Sequence, residues 1–193
     1  MDERKAVQEP FAVSDKIMYL IHAYRASKAL FTACDLGIFD ILHTSSTPLS
    51  AQVISQNLSS NPDATTRLLD SLVSLELLEK AKQGDLWLYN NTAIANKFLT
   101  KSSRESLMDF IALNNKTVYP MFANLASAVR EGTTQWMKTF GRSSEELWKE
   151  LYGSQEACLR FTGAMHGSSL HGCDAVAQAF DLTAYPKCCD LGG

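Results

Sequence analysis

The sequence has no large excess of charge of either sign and no long apolar run. Its 193 residues carry 18 Lys and Arg against 21 Asp and Glu, a formal net charge of −3. A basic excess is what draws proteins to nucleic acid and anionic membranes, so we expect neither partner. No stretch approaches the ~20 apolar residues of a membrane-spanning helix. The charged start, Met1–Lys5, lacks the apolar core of a secretory signal, so we expect a cytoplasmic protein.

The sequence also lacks cysteine spacings typical of metal sites or disulfide frameworks, and it lacks low-complexity segments. The five cysteines are an odd number, and no two have the C-x-x-C spacing that zinc sites use. We therefore expect reduced thiols and no bound metal, because disulfide frameworks belong to much smaller secreted chains. With 46% hydrophobic residues, 10 glycines and 5 prolines, the composition is that of an ordered globular protein.

What the sequence does contain is mostly helical patterning. Apolar residues at helical spacing predict an amphipathic helix over residues 14–35, with Ser14 as its N-cap and Gly37 just past its C-terminus. A second apolar run, residues 38–42, follows at once. Together the two segments carry more large apolar side chains than a single helix pair can bury. Since burial of each contributes ~1.5–3 kcal/mol, we expect a second subunit to cover this surface.

Residues 47–91 have the pattern of a winged-helix unit. A short helix follows Pro48, and Asn61 caps a second helix whose first residue is Pro62. Two short strands then flank a turn at residues 82–85, the second strand covering residues 86–89. Helix, turn, helix and a two-stranded wing is the order of elements in winged-helix domains.

Helices return from about residue 104. Pro120 is expected to open a helix that ends at Gly132, and Ser143 with Glu146 forms a capping box before the next helix. Further apolar faces recur over residues 158–165 and 170–180. The predicted fold class is therefore mainly α, a helical dimerisation region with a winged-helix unit and its small hairpin.

The last residues, 187–193, read KCCDLGG. A short strand followed by an acidic residue and clustered glycines is how a Rossmann-type sheet begins its cofactor-binding turn. Glycines let the backbone approach the ligand, and the positive end of the next helix points at it. We interpret residues 185–193 as the first strand and turn of a truncated Rossmann-like domain.

Several segments follow one another in the order typical of a known family. These are LGIFD at 36–40, the winged-helix unit, VREG at 129–132, FTGAM at 161–165 with Ser169, and DLGG at 190–193. On these residues the chain, from about residue 15 to 193, resembles the N-terminal part of the acetylserotonin (hydroxyindole) O-methyltransferases. The runs IALNN at 111–115 and AMHG at 164–167 resemble the acetylserotonin O-methyltransferase-like branch of that family.

This resemblance implies an S-adenosylmethionine-dependent homodimer that methylates a hydroxyl on a small aromatic acceptor, as in melatonin biosynthesis. It implies a dimerisation and winged-helix domain over 1–100, a helical linker and pocket region over 101–184, and the start of the donor-binding domain over 185–193. The family's catalytic histidine lies later than residue 193. We therefore expect no catalytic base in this chain and no activity from it alone.

The resemblance also assigns binding residues. The expected contacts to S-adenosylmethionine are Tyr152, Ser169, Asp190, Gly192 and Gly193. The expected substrate-pocket residues are Phe161 and Met165, although their spacing of four on one helix face also suits a plain core position. His166 and His171 flank Ser169, but the family's base comes later, so neither is expected to act as one.

Two other functions stay open at this point. A chain with an apolar N-terminal surface and no catalytic half could be a non-enzymatic dimerisation module that modulates a full-length subunit. A winged-helix DNA-binding protein is the other. Between residues 50 and 80, two cations (Arg67 and Lys80) face four carboxylates, a net charge of −2. Phosphate neutralisation dominates DNA affinity, so this unit is poorly suited to DNA.

Overall fold

The structure, a computed structural model, describes residues 9–170, 172–181, 183–187 and 189. The part of the chain it describes is mainly helical, with a small antiparallel sheet. The helices are α1 (Glu9–Leu36), α2 (Ile38–Thr44), α3 (Ala51–Leu58), α4 (Pro62–Ser74), α5 (Ala93–Phe98), α6 (Met108–Leu113), α7 (Tyr119–Phe122), α8 (Leu125–Glu131), α9 (Trp136–Phe140), α10 (Ser144–Leu151), α11 (Gln155–Leu170) and α12 (Cys173–Gln178). The strands are β1 (Leu49–Ser50), β2 (Leu78–Gln83) and β3 (Leu86–Asn91). A π-helical turn, Asn114–Val118, joins α6 to α7.

Helix α1 is longer than the sequence predicts. The described residues are helical from Glu9, so the prediction of Ser14 as its N-cap is wrong, and Ser14 lies inside the helix. Serine is tolerated inside helices as well as at their caps, so its presence alone does not decide where a helix begins. The predicted C-terminus is confirmed, because Gly37 separates α1 from α2 with a φ of 75°.

The predicted helices and hairpin of residues 47–91 are confirmed, with one additional strand. Ser50 Oγ accepts from the backbone N–H of Val53, and Asn61 Oδ1 accepts from that of Ala64, so α3 and α4 are both capped. The sheet order is β1-β3-β2, all antiparallel. The two-residue strand β1 is too short to show any alternation in the sequence, and only its pairing with β3 identifies it.

The hydrophobic core lies where the C-terminal half of α1 meets α2, α4 and β3. Its buried members include Ala33, Ile38, Phe39, Leu42, Ile54, Leu69, Leu72 and Tyr89. Leu69 and Leu72 of α4 are completely buried, while Leu68 and Val73 beside them are partly buried. The core thus joins the N-terminal helices to the sheet.

The prediction of one helix from Pro120 to Gly132 is wrong, because the structure has two helices there. The chain is already helical from Met108, passes through the π turn into α7, bends at residues 123–124, and resumes as α8. At the bend, Asn124 donates from its backbone N–H to Met121 O and from Nδ2 to Thr139 Oγ1 of α9. A contact to a distant helix fixes this bend, so apolar periodicity could not reveal it. The end of α8 at Gly132, with a φ of 65°, is confirmed.

The predicted capping box of α10 is confirmed. Ser143 Oγ accepts from the backbone N–H of Glu146 at 3.2 Å, and Glu146 Oε2 accepts from that of Ser143 at 2.7 Å. Beyond α10, the chain forms α11, which packs on α6, and then the short helix α12. Val176 and Phe180 stay exposed, so the apolar face predicted over 170–180 is not buried in this chain.

Residues 185–193, interpreted from sequence as a Rossmann strand and turn, are only partly described. Tyr185, Pro186, Lys187 and Cys189 belong to neither a helix nor a strand. Cys188 and residues 190–193 lie outside the described residues. None of the helices given above combines the length and the apolar composition that crossing a membrane requires.

Candidate functional site

Helices α6, α10 and α11 and the π turn line a partly open cavity of about 360 Å³. This volume lies at the lower end of the range for small-molecule sites. Its apolar lining consists of Ala112, Leu113, Phe140, Leu147, Leu151, Ala157, Phe161 and Ala164. Its polar lining consists of Asp109, Lys116, Thr117, Arg142, Glu150 and Arg160. The cavity therefore has apolar walls and charged groups around them.

Small residues on α11 allow the cavity-forming helices to approach closely. Ala164 and Gly167 of α11 are buried, and Gly167 lies against Ser106 and Leu107, just before α6. A Cβ on Gly163 would collide with the carboxylate of Asp109 on α6, so glycine leaves room for that side chain. This close approach fixes the distance between the two walls of the cavity.

An aromatic cluster links α10 to α11 at one side of the cavity. The ring centroids of Trp148 and Tyr152 are 6.0 Å apart and nearly parallel. Phe161 meets both rings edge-on, at 5.6 Å from Trp148 and 5.7 Å from Tyr152. Such pairs contribute ~0.5–1.5 kcal/mol beyond the area they bury. The cluster therefore holds Phe161 in place as a wall of the cavity and brings two of the predicted site residues together.

The charged side chains around the cavity are largely paired. Arg142 contacts Glu150, and Arg160 donates from Nη1 to Glu156 Oε1 at 2.5 Å. Lys116 Nζ lies 3.8 Å from Asp35 Oδ1 of α1. Exposed pairs of this kind contribute at most ~1 kcal/mol each to stability. Because these charges are paired, the electrostatic field inside the cavity is weak. Such a cavity suits a neutral ligand better than an ion.

The other predicted site residues are placed as follows. Ser169 and Met165 lie one turn apart on α11, both exposed, and Ser169 Oγ donates to Met165 O at 3.0 Å. Neither belongs to the lining of the cavity. Asp190, Gly192 and Gly193, predicted to contact the methyl donor, lie outside the described residues, as does His171.

Sequence reasoning missed the cavity wall formed by α6 and the π turn. Its members, Asp109, Leu113, Lys116 and Thr117, recur at spacings of three and four, which places them on one helix face. That spacing was the available signal. It was not sufficient, because the other side of the same segment also carries large apolar residues, Ile111 and Tyr119, and only packing decides which side meets α11.

A second, more open cavity of about 580 Å³ lies over α7, α8 and residues 132–135. Its lining includes Met121, Phe122, Leu125 and Ala128 and contains no titratable side chain. It can offer apolar contact but no group for proton transfer or charge stabilisation. We therefore assign the candidate site to the smaller cavity.

The part of the chain that the structure describes contains no cluster of metal ligands, and its buried thiol, Cys34, is unreactive. No three His, Cys, Asp or Glu side chains cluster closely enough there to hold a metal ion. Burial, with smaller contributions from Asp35 and Asp40, raises the pKa of the Cys34 thiol to about 12. A thiol with this pKa is unreactive near neutral pH, because the thiolate is the nucleophilic form.

Two models of known protein families match the chain. Residues 18–101 match the O-methyltransferase dimerisation domain, and residues 122–193 match the O-methyltransferase domain. The chain belongs to the O-methyltransferase family. The dimerisation model thus covers most of α1 and the sheet. The second model covers α10 and α11, which carry Phe161 and the aromatic cluster.

Individual relatives are consistent with this assignment. The chain is 39% identical to bovine acetylserotonin O-methyltransferase over 173 residues, which are 89% of this chain and 50% of that protein. It is 37% identical over 179 residues to a human probable bifunctional dTTP/UTP pyrophosphatase/methyltransferase protein, covering 92% of this chain and 28% of that one.

Among solved structures, the chain is similar to human N-acetylserotonin methyltransferase in complex with SAM, with a TM-score of 0.82 and 32% identity. The match covers all of this chain and 55% of that one. The chain spans about half the length of the acetylserotonin O-methyltransferases it matches.

Proposed function

We propose that these residues form the dimer-forming and acceptor-binding part of an S-adenosylmethionine-dependent O-methyltransferase. The acceptor in this proposal is a small aromatic hydroxyl compound of the acetylserotonin type. The observation that supports it most directly is the cavity of about 360 Å³ walled by Phe161, within the segment that matches the O-methyltransferase domain. The similarity to a solved N-acetylserotonin methyltransferase bound to SAM supports the donor.

The cavity suits a flat, neutral acceptor. Phe161 offers an aromatic edge and face, and Leu113 and Leu151 add apolar walls of the kind that binds a ring system. Methyl transfer requires the acceptor oxygen, the methyl carbon and the sulfonium to be held in line while a base removes the hydroxyl proton. In this proposal the cavity supplies the alignment of the acceptor, and no described residue of this chain is assigned as the base.

The donor is proposed to contact Tyr152 and Ser169 together with Asp190, Gly192 and Gly193. Tyr152 and Ser169 are both exposed, so a bound molecule can reach them. S-adenosylmethionine supplies an electrophilic methyl group on a sulfonium. We propose that residues 185–193 begin the Rossmann-like part that binds this donor, after a pocket region over 101–184.

Residues 1–100 are proposed to form the dimerisation domain, in which α3, α4 and the β2–β3 hairpin make a winged-helix unit. A homodimer is supported by the match to the dimerisation domain and by the apolar surface of α1. Ile17, Met18, Tyr19, Leu20 and Ile21 are consecutive, and all are about half exposed or more. Five consecutive residues go once around a helix, so over this stretch the apolar surface faces every side and needs cover. DNA binding through the winged unit is disfavoured by its negative charge.

Methyl transfer from S-adenosylmethionine to N-acetylserotonin, measured on the protein that carries these residues, is the direct test. We expect Phe161→Ala to raise the KM for the acceptor about tenfold and to leave the KM for the donor within about twofold, since an aromatic wall of this size contributes ~1–2 kcal/mol. Leu86→Ala removes an equally apolar but exposed side chain at the hairpin tip and serves as the control. Equal effects of the two substitutions would argue against the cavity as the acceptor site.

A further inference from the structure

One continuous helical segment, α6 with the π turn and α7, separates the cavity from α1. Asp109, Leu113, Lys116 and Thr117 lie on the side that lines the cavity. Ile111, Asn115 and Tyr119 recur every four residues on the other side. There, Asn115 bonds to α1 and the Tyr119 ring meets Phe31 of α1 edge-on at 6.2 Å. The segment is therefore a partition between the dimer-forming helix and the candidate site.

Asn115 is the polar centre of this partition. Its side chain is buried, with the residue only 8% exposed, and both of its polar atoms are bonded to α1. Asn115 Oδ1 accepts from Lys28 Nζ at 2.7 Å, and Nδ2 donates to Asp35 Oδ2 at 2.6 Å. The other oxygen of Asp35 lies 3.8 Å from Nζ of Lys116, a cavity residue. One carboxylate on α1 thus contacts both faces of the partition.

The backbone at Asn115 is also unusual. Residues 114–118 form a π-helical turn, which is rare, occurs mostly as a single turn within α-helices, and is frequent at functional sites. If this turn became regular α-helix, the register would change, and the residues after it would rotate about the helix axis by about 100° for each residue of change. A buried amide that loses both partners costs ~1–3 kcal/mol, so the bonds of Asn115 oppose such a rotation.

We propose that Asn115 is a positioning residue that transmits the placement of α1 to the wall of the cavity. Lys28 and Asp35 bind its amide, and the amide fixes the register of the π turn. That register determines how Leu113, Lys116 and Thr117 face the cavity. The shape of the cavity then depends on α1, the helix whose other half, residues 17–24, presents the exposed apolar surface. This inference rests on the proposed function only in treating the cavity as the acceptor site.

The test is hydrogen exchange of backbone amides in the 193-residue chain, since it needs no ligand and no activity. Asn115→Asp replaces the donor to Asp35 by an acceptor and sets two carboxylates against each other. We expect exchange at residues 112–117 and 160–164 to quicken at least tenfold, while β3 amides such as those of residues 88–90 stay within twofold. The double variant Asp35→Asn with Asn115→Asp reverses donor and acceptor at unchanged total charge, and should restore the exchange rates.

Lys28→Met is the milder variant if Asn115→Asp does not fold. Lys28 is an exposed residue of α1, and its replacement removes one of the two hydrogen bonds to the Asn115 side chain. We expect a smaller acceleration of amide exchange, confined to residues 112–117 and 160–164. Acceleration spread evenly over the chain, β3 included, would show a merely structural role and overturn the proposal. So would a double variant that exchanges as fast as Asn115→Asp.

A kinetic readout separates this proposal from the proposed function. In the methyl-transfer assay, Asn115→Asp should raise the KM for N-acetylserotonin severalfold, leave that for S-adenosylmethionine within twofold, and be rescued by the double variant. If neither the wild type nor any variant of the protein that carries these residues transfers methyl groups, the proposed function fails. The exchange result still decides whether α1 positions the cavity wall through Asn115.

Discussion

At the scale of single residues, the side chain of Asp70 on α4 joins helix to sheet. Its Oδ1 accepts from Lys80 Nζ at 2.6 Å and from the Tyr89 hydroxyl at 2.8 Å. Lys80 Nζ also lies 5.0 Å from the Trp87 ring centroid and 5.3 Å from that of Tyr89. Tyr89 is buried at the centre of the sheet, so its hydroxyl needs this partner. The contact fixes how the hairpin lies on α4.

The three pKa values of this group give it a pH dependence. Partial burial raises the pKa of Asp70, but the hydrogen bonds from Lys80 and Tyr89 outweigh it, and the net pKa lies below its ordinary value. Hydrogen bonding to Asp70 raises the pKa of Lys80, and burial with the Asp70 bond raises that of Tyr89. A lowered carboxyl pKa stabilises the fold above about pH 4, and the raised pKa values of Lys80 and Tyr89 stabilise it below about pH 10.

We therefore expect Asp70→Asn to flatten the acid side of the stability profile. As pH falls from 6 to 3, the wild-type chain should lose free energy of unfolding, because Asp70 takes up its proton at a lower pH in the folded chain than in the unfolded one. The variant has no such proton to bind, so its loss should be smaller. Urea unfolding at pH 6 and pH 3 measures the difference, with Glu79→Gln on the exposed face of β2 as control. An equal acid loss in wild type and Asp70→Asn would contradict the assignment.

At the scale of elements, local signals and distant contacts decide different boundaries. The start of α10 is set by residues within one turn, since Ser143 and Glu146 bond to each other's backbone. The backbone N–H of Ser143, and then its side chain, lowers the pKa of Glu146. The break between α7 and α8 depends instead on Asn124 reaching Thr139 in α9. The first boundary follows from the sequence and the second from packing.

Removing the cap should affect α10 and the aromatic cluster it carries. Ser143→Ala is expected to lower the free energy of unfolding by ~1 kcal/mol, the usual cost of losing an N-cap oxygen. Ser144→Ala, one residue later and exposed, should change it by less than about 0.5 kcal/mol. Urea unfolding of the two variants provides the comparison. Hydrogen exchange within residues 145–148 should rise in Ser143→Ala, and a cap that is not formed would leave it unchanged.

At the scale of the whole molecule, the chain buries one end of α1 and exposes the other. Ala33 and Cys34 lie in the core, whereas Ile17, Leu20, Ile21 and Tyr24 are each more than half exposed. Apolar surface of this extent on one helix marks an interaction site rather than a finished surface. The match to a dimerisation domain over residues 18–101 gives this surface its proposed partner, a second copy of the chain.

Replacing two of these side chains should weaken the dimer. Ile17 and Ile21 lie one turn apart, and burying each in an interface contributes ~1 kcal/mol or more. We expect Ile17→Glu with Ile21→Glu to raise the dimer dissociation constant at least ~30-fold. Sedimentation equilibrium measures it, and Leu86→Glu at the exposed hairpin tip is the control. A wild-type chain that sediments as a monomer at tens of micromolar would refute the homodimer.

How much of the site was predictable also depends on scale. Tyr152 and Phe161 were named from resemblance, and the structure brings their rings together, while Phe161 lines the cavity. Asp109, Lys116 and Arg142 were not named, because charged residues on helices usually face solvent and nothing local sets these apart. The assignments of Met165, Ser169 and the 190–193 turn stay predictions.

The sequence by itself determined the mainly helical class, the caps at Asn61 and Ser143, the turn at Gly37 and the β2–β3 hairpin. Each depends on interactions within a few residues, which a local pattern records. Only the tertiary structure decided the strand β1, the bend after α7, the π turn and the cavity. Each of these depends on groups far apart in the chain, such as Asn115 with Asp35 or Asn124 with Thr139. Their free energy exists only once the helices have packed, so no local pattern carries it.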